Sequence, residues 1–137
     1  VTVNSRTTQV LLGTSTGFSA TGKTMAGGES ATVGDFDKDG YGDVAVGRGW
    51  ADVAGVTAAG RVGVAYGSSS GLSTTRSTWS ISQSSAGLPG TPEEYDHFGS
   101  DVSAGDVTGD GYADLLVGVS SEDNRGGATV LKGSATD

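Results

Sequence analysis

Apolar residues in this chain come in short runs rich in Val, Leu, Ile and Ala, each closed by glycine or by a cluster of Ser, Thr, Asn and Asp. No stretch keeps apolar positions at i, i+3, i+4 and i+7, and glycine interrupts nearly every candidate, so helices are not expected. The runs and the turn clusters between them predict strands near 8–12, 21–25, 30–34, 43–47, 61–66, 77–82, 99–104, 114–119 and 128–132. Short strands with no strand–helix alternation give an all-β, antiparallel architecture.

The strands repeat. Gly34-Asp-Phe-Asp-Lys-Asp-Gly-Tyr-Gly-Asp-Val-Ala-Val-Gly47 returns as Gly105-Asp-Val-Thr-Gly-Asp-Gly-Tyr-Ala-Asp-Leu-Leu-Val-Gly118, a displacement of 71 residues. Around it lies a second repeated element, an apolar run ending in glycine: Gln9–Gly13, Val62–Gly67 and Ala128–Gly133. The first two continue alike, as Thr14-Ser-Thr-Gly-Phe-Ser19 and Ser68-Ser-Ser-Gly-Leu-Ser73. The chain therefore reads as one segment, 1–137, with repeat cores at 28–67 and 97–133.

Composition changes this picture only at the margins. Apolar residues make up 34% of the 137, and 25 glycines stand against 2 prolines, so the core is thin. Clustering of the apolar residues argues against disorder, and the glycines have no three-residue period that would make collagen. With 8 basic and 16 acidic residues the net charge is −8, and no basic stripe exists to replace phosphate counterions, so nucleic acid is not an expected partner. No apolar run is long enough for a transmembrane helix. The absence of cysteine removes disulfides, zinc–thiolate sites and thiol nucleophiles together.

The acids carry the chemistry. Asp35, Asp37, Asp39 and Asp43 stand at positions one, three, five and nine of a loop with Gly40 at position six. Hard cations take several oxygen ligands, and alternate residues of a tight loop turn their carboxylates toward one centre. Glycine permits the sharp turn, and the carbonyl of Tyr41 then faces the same point. The second copy offers Asp106, Thr108, Asp110, Tyr112 and Asp114, with Thr108 replacing a carboxylate, so it is expected to bind more weakly. An EF-hand is excluded, because its twelfth-position Glu is here Val46 or Val117 and strands follow the loop where a helix would be needed.

These residues resemble the FG-GAP repeats of integrin-α-like β-propellers. His97-Phe98-Gly99 and the strand after it correspond to the family's Phe-Gly, Asp106–Asp114 to its calcium loop, and Leu115–Gly118 to the following strand. The match has gaps: Val119-Ser-Ser121 replaces the Ala-Pro of the motif, Gly27-Gly28-Glu29 replaces Phe-Gly in the first copy, and Arg48-Gly49 replaces its Ala-Pro. The resemblance implies four-stranded blades, a calcium loop between the first two strands of each, and two Ca²⁺ ions. About two blades are present, whereas closed propellers have about 4–8. The expected partners are therefore copies of this chain or the remaining blades of a longer propeller.

The implied role is a non-catalytic calcium-binding module for extracellular recognition, adhesion or scaffolding. The alternative is an accessory, glycan- or substrate-binding part of a secreted enzyme with its catalytic domain elsewhere. A catalytic triad finds no support, since His97 is the only histidine and no Gly-x-Ser-x-Gly elbow occurs. Two long loops, Arg48–Arg61 and Ser82–Asp96, are the expected binding surface. Trp50 in the first either covers a blade edge or stacks on a sugar ring. Phe18, Tyr66, Trp79 and Phe98 are expected in the core or between blades.

Overall fold

The computed structural model describes residues 7–135. The strands are β1 (Thr7–Thr14), β2 (Gly17–Ala26), β3 (Ser30–Gly34), β4 (Asp43–Arg48), β5 (Arg61–Ala65), β6 (Trp79–Ile81), β7 (Phe98–Gly105), β8 (Asp114–Val119) and β9 (Gly127–Leu131). The only helical element among the described residues is a 3-10 turn at Glu122–Asn124. Each predicted strand is present. β2 runs longer than the sequence indicates, and β6 is cut to three residues.

All strand pairs are antiparallel, in a β1–β2 hairpin, a sheet ordered β3-β4-β5-β6 and a sheet ordered β7-β8-β9. The central sheet is covered on both faces. Successive strand residues point to opposite sides, and β4 exploits this. Val44 and Val46 pack with Ala65 and Leu72 against Met25 and Val10 of the hairpin. Ala45 points the other way, joining Val62, Val64 and Ile81 against Phe98, Val102, Leu115 and Val117 of the third sheet.

The 71-residue repeat holds in three dimensions. Leu115 and Val117 face back toward the preceding sheet as Val44 and Val46 do. The hairpin carries the same geometry one unit earlier: Thr8 pairs with Met25 as Val62 pairs with Ile81. The described strands are thus the third and fourth of one blade, all four of the next, and the first three of another. Stacking at this distance requires bare backbone. A Cβ on Gly47 would lie 2.1 Å from the carbonyl oxygen of Gly99 in the neighbouring sheet, and Gly99 itself holds φ +84°.

Two aromatic expectations fail. Phe18 is 81% exposed at the hairpin tip and Trp79 is 53% exposed. Phe18 follows the Gly17 turn, past the end of the sheet that could cover it. Trp79 opens the edge strand β6, beside a third sheet that has no fourth strand among the described residues. Phe98 is buried at 1% exposure, and Tyr66 lies half-buried beneath the Arg76 guanidinium, 3.5 Å from its ring centroid.

Candidate metal centre

The two acidic loops join β3 to β4 and β7 to β8, at the same end of their sheets. Each is wound by its own carboxylates. In the first, Asp35 accepts from the N–H groups of Asp39 and Gly40, both at 3.0 Å, and Asp39 accepts from Tyr41 at 2.8 Å. In the second, Asp106 accepts from Gly109, Asp110 and Gly111, and Asp110 accepts from Tyr112 at 2.9 Å. These bonds wind each loop around its first aspartate. Asp35, Asp37 and Asp39 bring one potential ligand oxygen each to within 4.8 Å of one another.

The ninth residues do something the spacing alone does not reveal. Asp43 and Asp114 are fully buried, at 0% and 1% exposure. Asp43 accepts from Phe36 N–H at 2.9 Å and from Gly67 N–H at 2.8 Å. Asp114 accepts from Val107 and Thr108 within its loop and from Gly133 at 3.1 Å. Each carboxylate thereby ties its loop to the glycine just past the third strand of the blade. Asp43 stands apart from the 4.8 Å group of Asp35, Asp37 and Asp39.

The two environments differ in charge. Burial raises the Asp43 carboxyl above the usual carboxylate range; the N–H bonds from Gly67 and Phe36 oppose this, and the nearby charges of Asp37 and Asp39 reinforce it. Burial also pushes Asp114 upward, but the N–H bonds from Gly133, Val107 and Thr108 and a bond to the Thr108 hydroxyl outweigh it, so its carboxyl lies below the usual range. Thr108 thus removes a repelling charge from the place where the first loop has Asp37.

Three further residues belong to this end of the molecule. Arg76 pairs with Asp37. Lys38, held at φ +61°, donates from Nζ to the carbonyl of Asp110 at 2.8 Å and lies 4.9 Å from the Tyr112 ring centroid. The N–H of Ala113 donates to the carbonyl of Asp35 at 2.9 Å. The loops are therefore joined directly, through contacts that span about one repeat and leave no local signature in sequence.

At the opposite end, the N–H groups of Tyr95, His97 and Phe98 donate to Thr57, Ala58 and Ala59, locking the β4–β5 loop onto the entry to β7. His97 lies between two rings there, 4.2 Å from Trp50 and 6.2 Å from Tyr95. Trp50 is 65% exposed.

No curated protein matches the chain. The family model for the FG-GAP repeat matches residues 27–64 and 98–131, which contain both acidic loops and the strands on either side of them. Together with the all-β stack of blade-like sheets, this shows that the chain belongs to the FG-GAP repeat family.

Proposed function

We propose that this chain is a calcium-clamped, non-catalytic propeller segment that serves extracellular recognition, adhesion or scaffolding. The observation that carries the reading is the convergence of Asp35, Asp37 and Asp39, with ligand oxygens within 4.8 Å of one another. Arg76 pairs with Asp37, but one guanidinium leaves the three carboxylates with a net negative charge that a metal cation would neutralise. An all-oxygen donor set favours a hard ion such as Ca²⁺. Asp35, Asp37, Asp39 and the Tyr41 carbonyl would hold the first ion, and Asp106, Thr108, Asp110 and the Tyr112 carbonyl the second; the buried Asp43 and Asp114 brace the two loops and would reach the ions only through the lone pairs their N–H partners leave open. Bound there, an ion would crosslink the carboxylates of each acidic loop.

Blade stacking supports a scaffold role. On the outer face of the third sheet, Leu116 and Val130 are 43% and 48% exposed. Their repeat equivalents in the central sheet, Ala45 and Val64, are 0% and 3% exposed beneath the next blade. Further blades, from the same polypeptide or from copies of it, are the partners that such a face fits.

The Nδ1 of His97 lies 3.4 Å from Ser120 Oγ, while Nε2 is buried without a partner. The exposed Trp50 favours a second reading, in which the segment is the glycan-contacting part of a secreted enzyme.

Calorimetric titration with Ca²⁺ tests the proposal. Two sites are expected, both lost in the double variant Asp39→Ala, Asp110→Ala. Zero stoichiometry, or titration unchanged by that double substitution, contradicts it.

A further inference from the structure

The two acidic loops differ at their fourth position. The second has Gly109 there, at φ +76°, whereas the first has Lys38, at φ +61°. That backbone conformation suits glycine and is uncommon for a residue with a side chain. A lysine held in it requires contacts elsewhere that keep it there.

Those contacts lie in the other loop. Lys38 Nζ donates to the main-chain carbonyl of Asp110 at 2.8 Å and stands 4.9 Å from the Tyr112 ring centroid. Gly111, between these two partners, makes the space: a Cβ there would collide with Lys38 Nζ, whereas one on its repeat equivalent, Gly40, would meet nothing within 4 Å. Two main-chain bonds run the same way. The N–H of Ala113 donates to the Asp35 carbonyl at 2.9 Å, and the N–H of Ser134 donates to the Phe36 carbonyl at 3.0 Å. Ser134 follows Gly133, whose own N–H donates to Asp114. Asp35, Phe36 and Lys38 of the first loop are thus each bonded to the second loop or to the strand end that braces it.

Lys38 sits between Asp37 and Asp39, and its two partners, Asp110 and Tyr112, stand at the fifth and seventh positions of the second loop. Fixing the ligand positions of either loop therefore fixes part of the other, and the ordering cost is met once. We infer that Lys38 couples the two loops, so that each binds a divalent cation more tightly when the other is filled. The gain must be the same in both directions, because coupling between binding sites is reciprocal. The seven aspartates of the two loops, less the charges of Lys38 and Arg76, still exceed the charge of two divalent cations, which offsets repulsion between the ions. This coupling rests on the calcium reading of both loops and adds a regulation to it: the pair fills together over a narrow range of Ca²⁺ concentration.

Amide NMR spectra of the full chain during a Ca²⁺ titration read the two sites separately, through the N–H groups of Gly40 and Gly111, which donate to Asp35 and Asp106. Asp39→Asn and Asp110→Asn each weaken one site while keeping an oxygen to accept from Tyr41 or Tyr112. Each substitution should weaken binding at the opposite loop by the same factor, about fivefold, the lower end of coupling between sites, because the Lys38 contact is exposed to water. The long-range field of the lost carboxylate acts with or without Lys38, so both substitutions are repeated in a Lys38→Gly chain. Glycine is what the second loop already holds at this position, so the loop conformation is kept. There the factor should fall below about twofold. A factor near one in the parent chain, or an unchanged factor in the Lys38→Gly chain, would overturn the coupling and leave two calcium sites in place. Glycine signals that do not move with Ca²⁺ would overturn the coupling and the calcium reading together.

Discussion

At the scale of single residues, the two ninth-position aspartates have a structural duty that holds with or without metal. Each is buried with both oxygens accepting backbone N–H groups. Asp43→Ala strands the N–H groups of Phe36 and Gly67, and unpaired buried donors cost about 1–3 kcal/mol each. Urea denaturation in chelator should show a loss of about 2–4 kcal/mol; a variant as stable as the parent would assign Asp43 to metal binding alone. Sequence spacing identified these acids as candidate ligands, yet it could not reveal their partners. Gly67 lies 24 residues from Asp43 and Gly133 lies 19 from Asp114. What the sequence did carry was the glycine closing each apolar run. For two of the three the cause is now visible: a Cβ would stand 2.4 Å from the Gly42 carbonyl oxygen at Gly67, and 2.3 Å from that of Ala113 at Gly133, whereas Gly13 has open space around it.

Among elements, the repeat supplies matched controls. Val64 and Val130 occupy the same place in successive third strands, one covered by the next sheet and the other open. Val64→Ala should cost about 2–3 kcal/mol through lost burial and a residual cavity. Val130→Ala should stay within about 0.5 kcal/mol if that face is open in solution. A large Val130 effect in chemical denaturation would mean that the face is already covered by another blade. The loops form a second matched pair. Thr108→Asp restores the carboxylate present at Asp37 and should tighten the second site toward the first in a calcium titration; unchanged affinity would remove position three from the ligand set. Strand order was legible because apolar runs and turn residues alternate so regularly. The exposure of Phe18 and Trp79 was not, because aromatic character says nothing about whether a neighbouring strand is there to cover it. Arg76 and Lys38 were equally silent, being ordinary basic residues until folding brings them to Asp37 and Asp110.

On the scale of the whole molecule, the described residues form a half-blade, a blade and three-quarters of a blade in one stack. The exposed Leu116 and Val130 on the outer face of the third sheet favour association. Light scattering on the calcium-loaded chain should therefore report masses above 13.5 kDa that rise with concentration; a 13.5 kDa species persisting at all concentrations would mean that the open faces are tolerated. The clamps themselves are most directly probed by heat. An ion that binds only the folded loops adds RT ln(1 + [L]/Kd), about 2.7 kcal/mol per site at a free concentration of ~100 Kd. For a chain of this size, two such sites correspond to a rise of about 10 °C or more in Tm. Paired thermal melts in excess calcium and in chelator should differ by that amount, with the difference abolished by Asp39→Ala together with Asp110→Ala. Superimposable melts of the parent protein would contradict the calcium-clamp account.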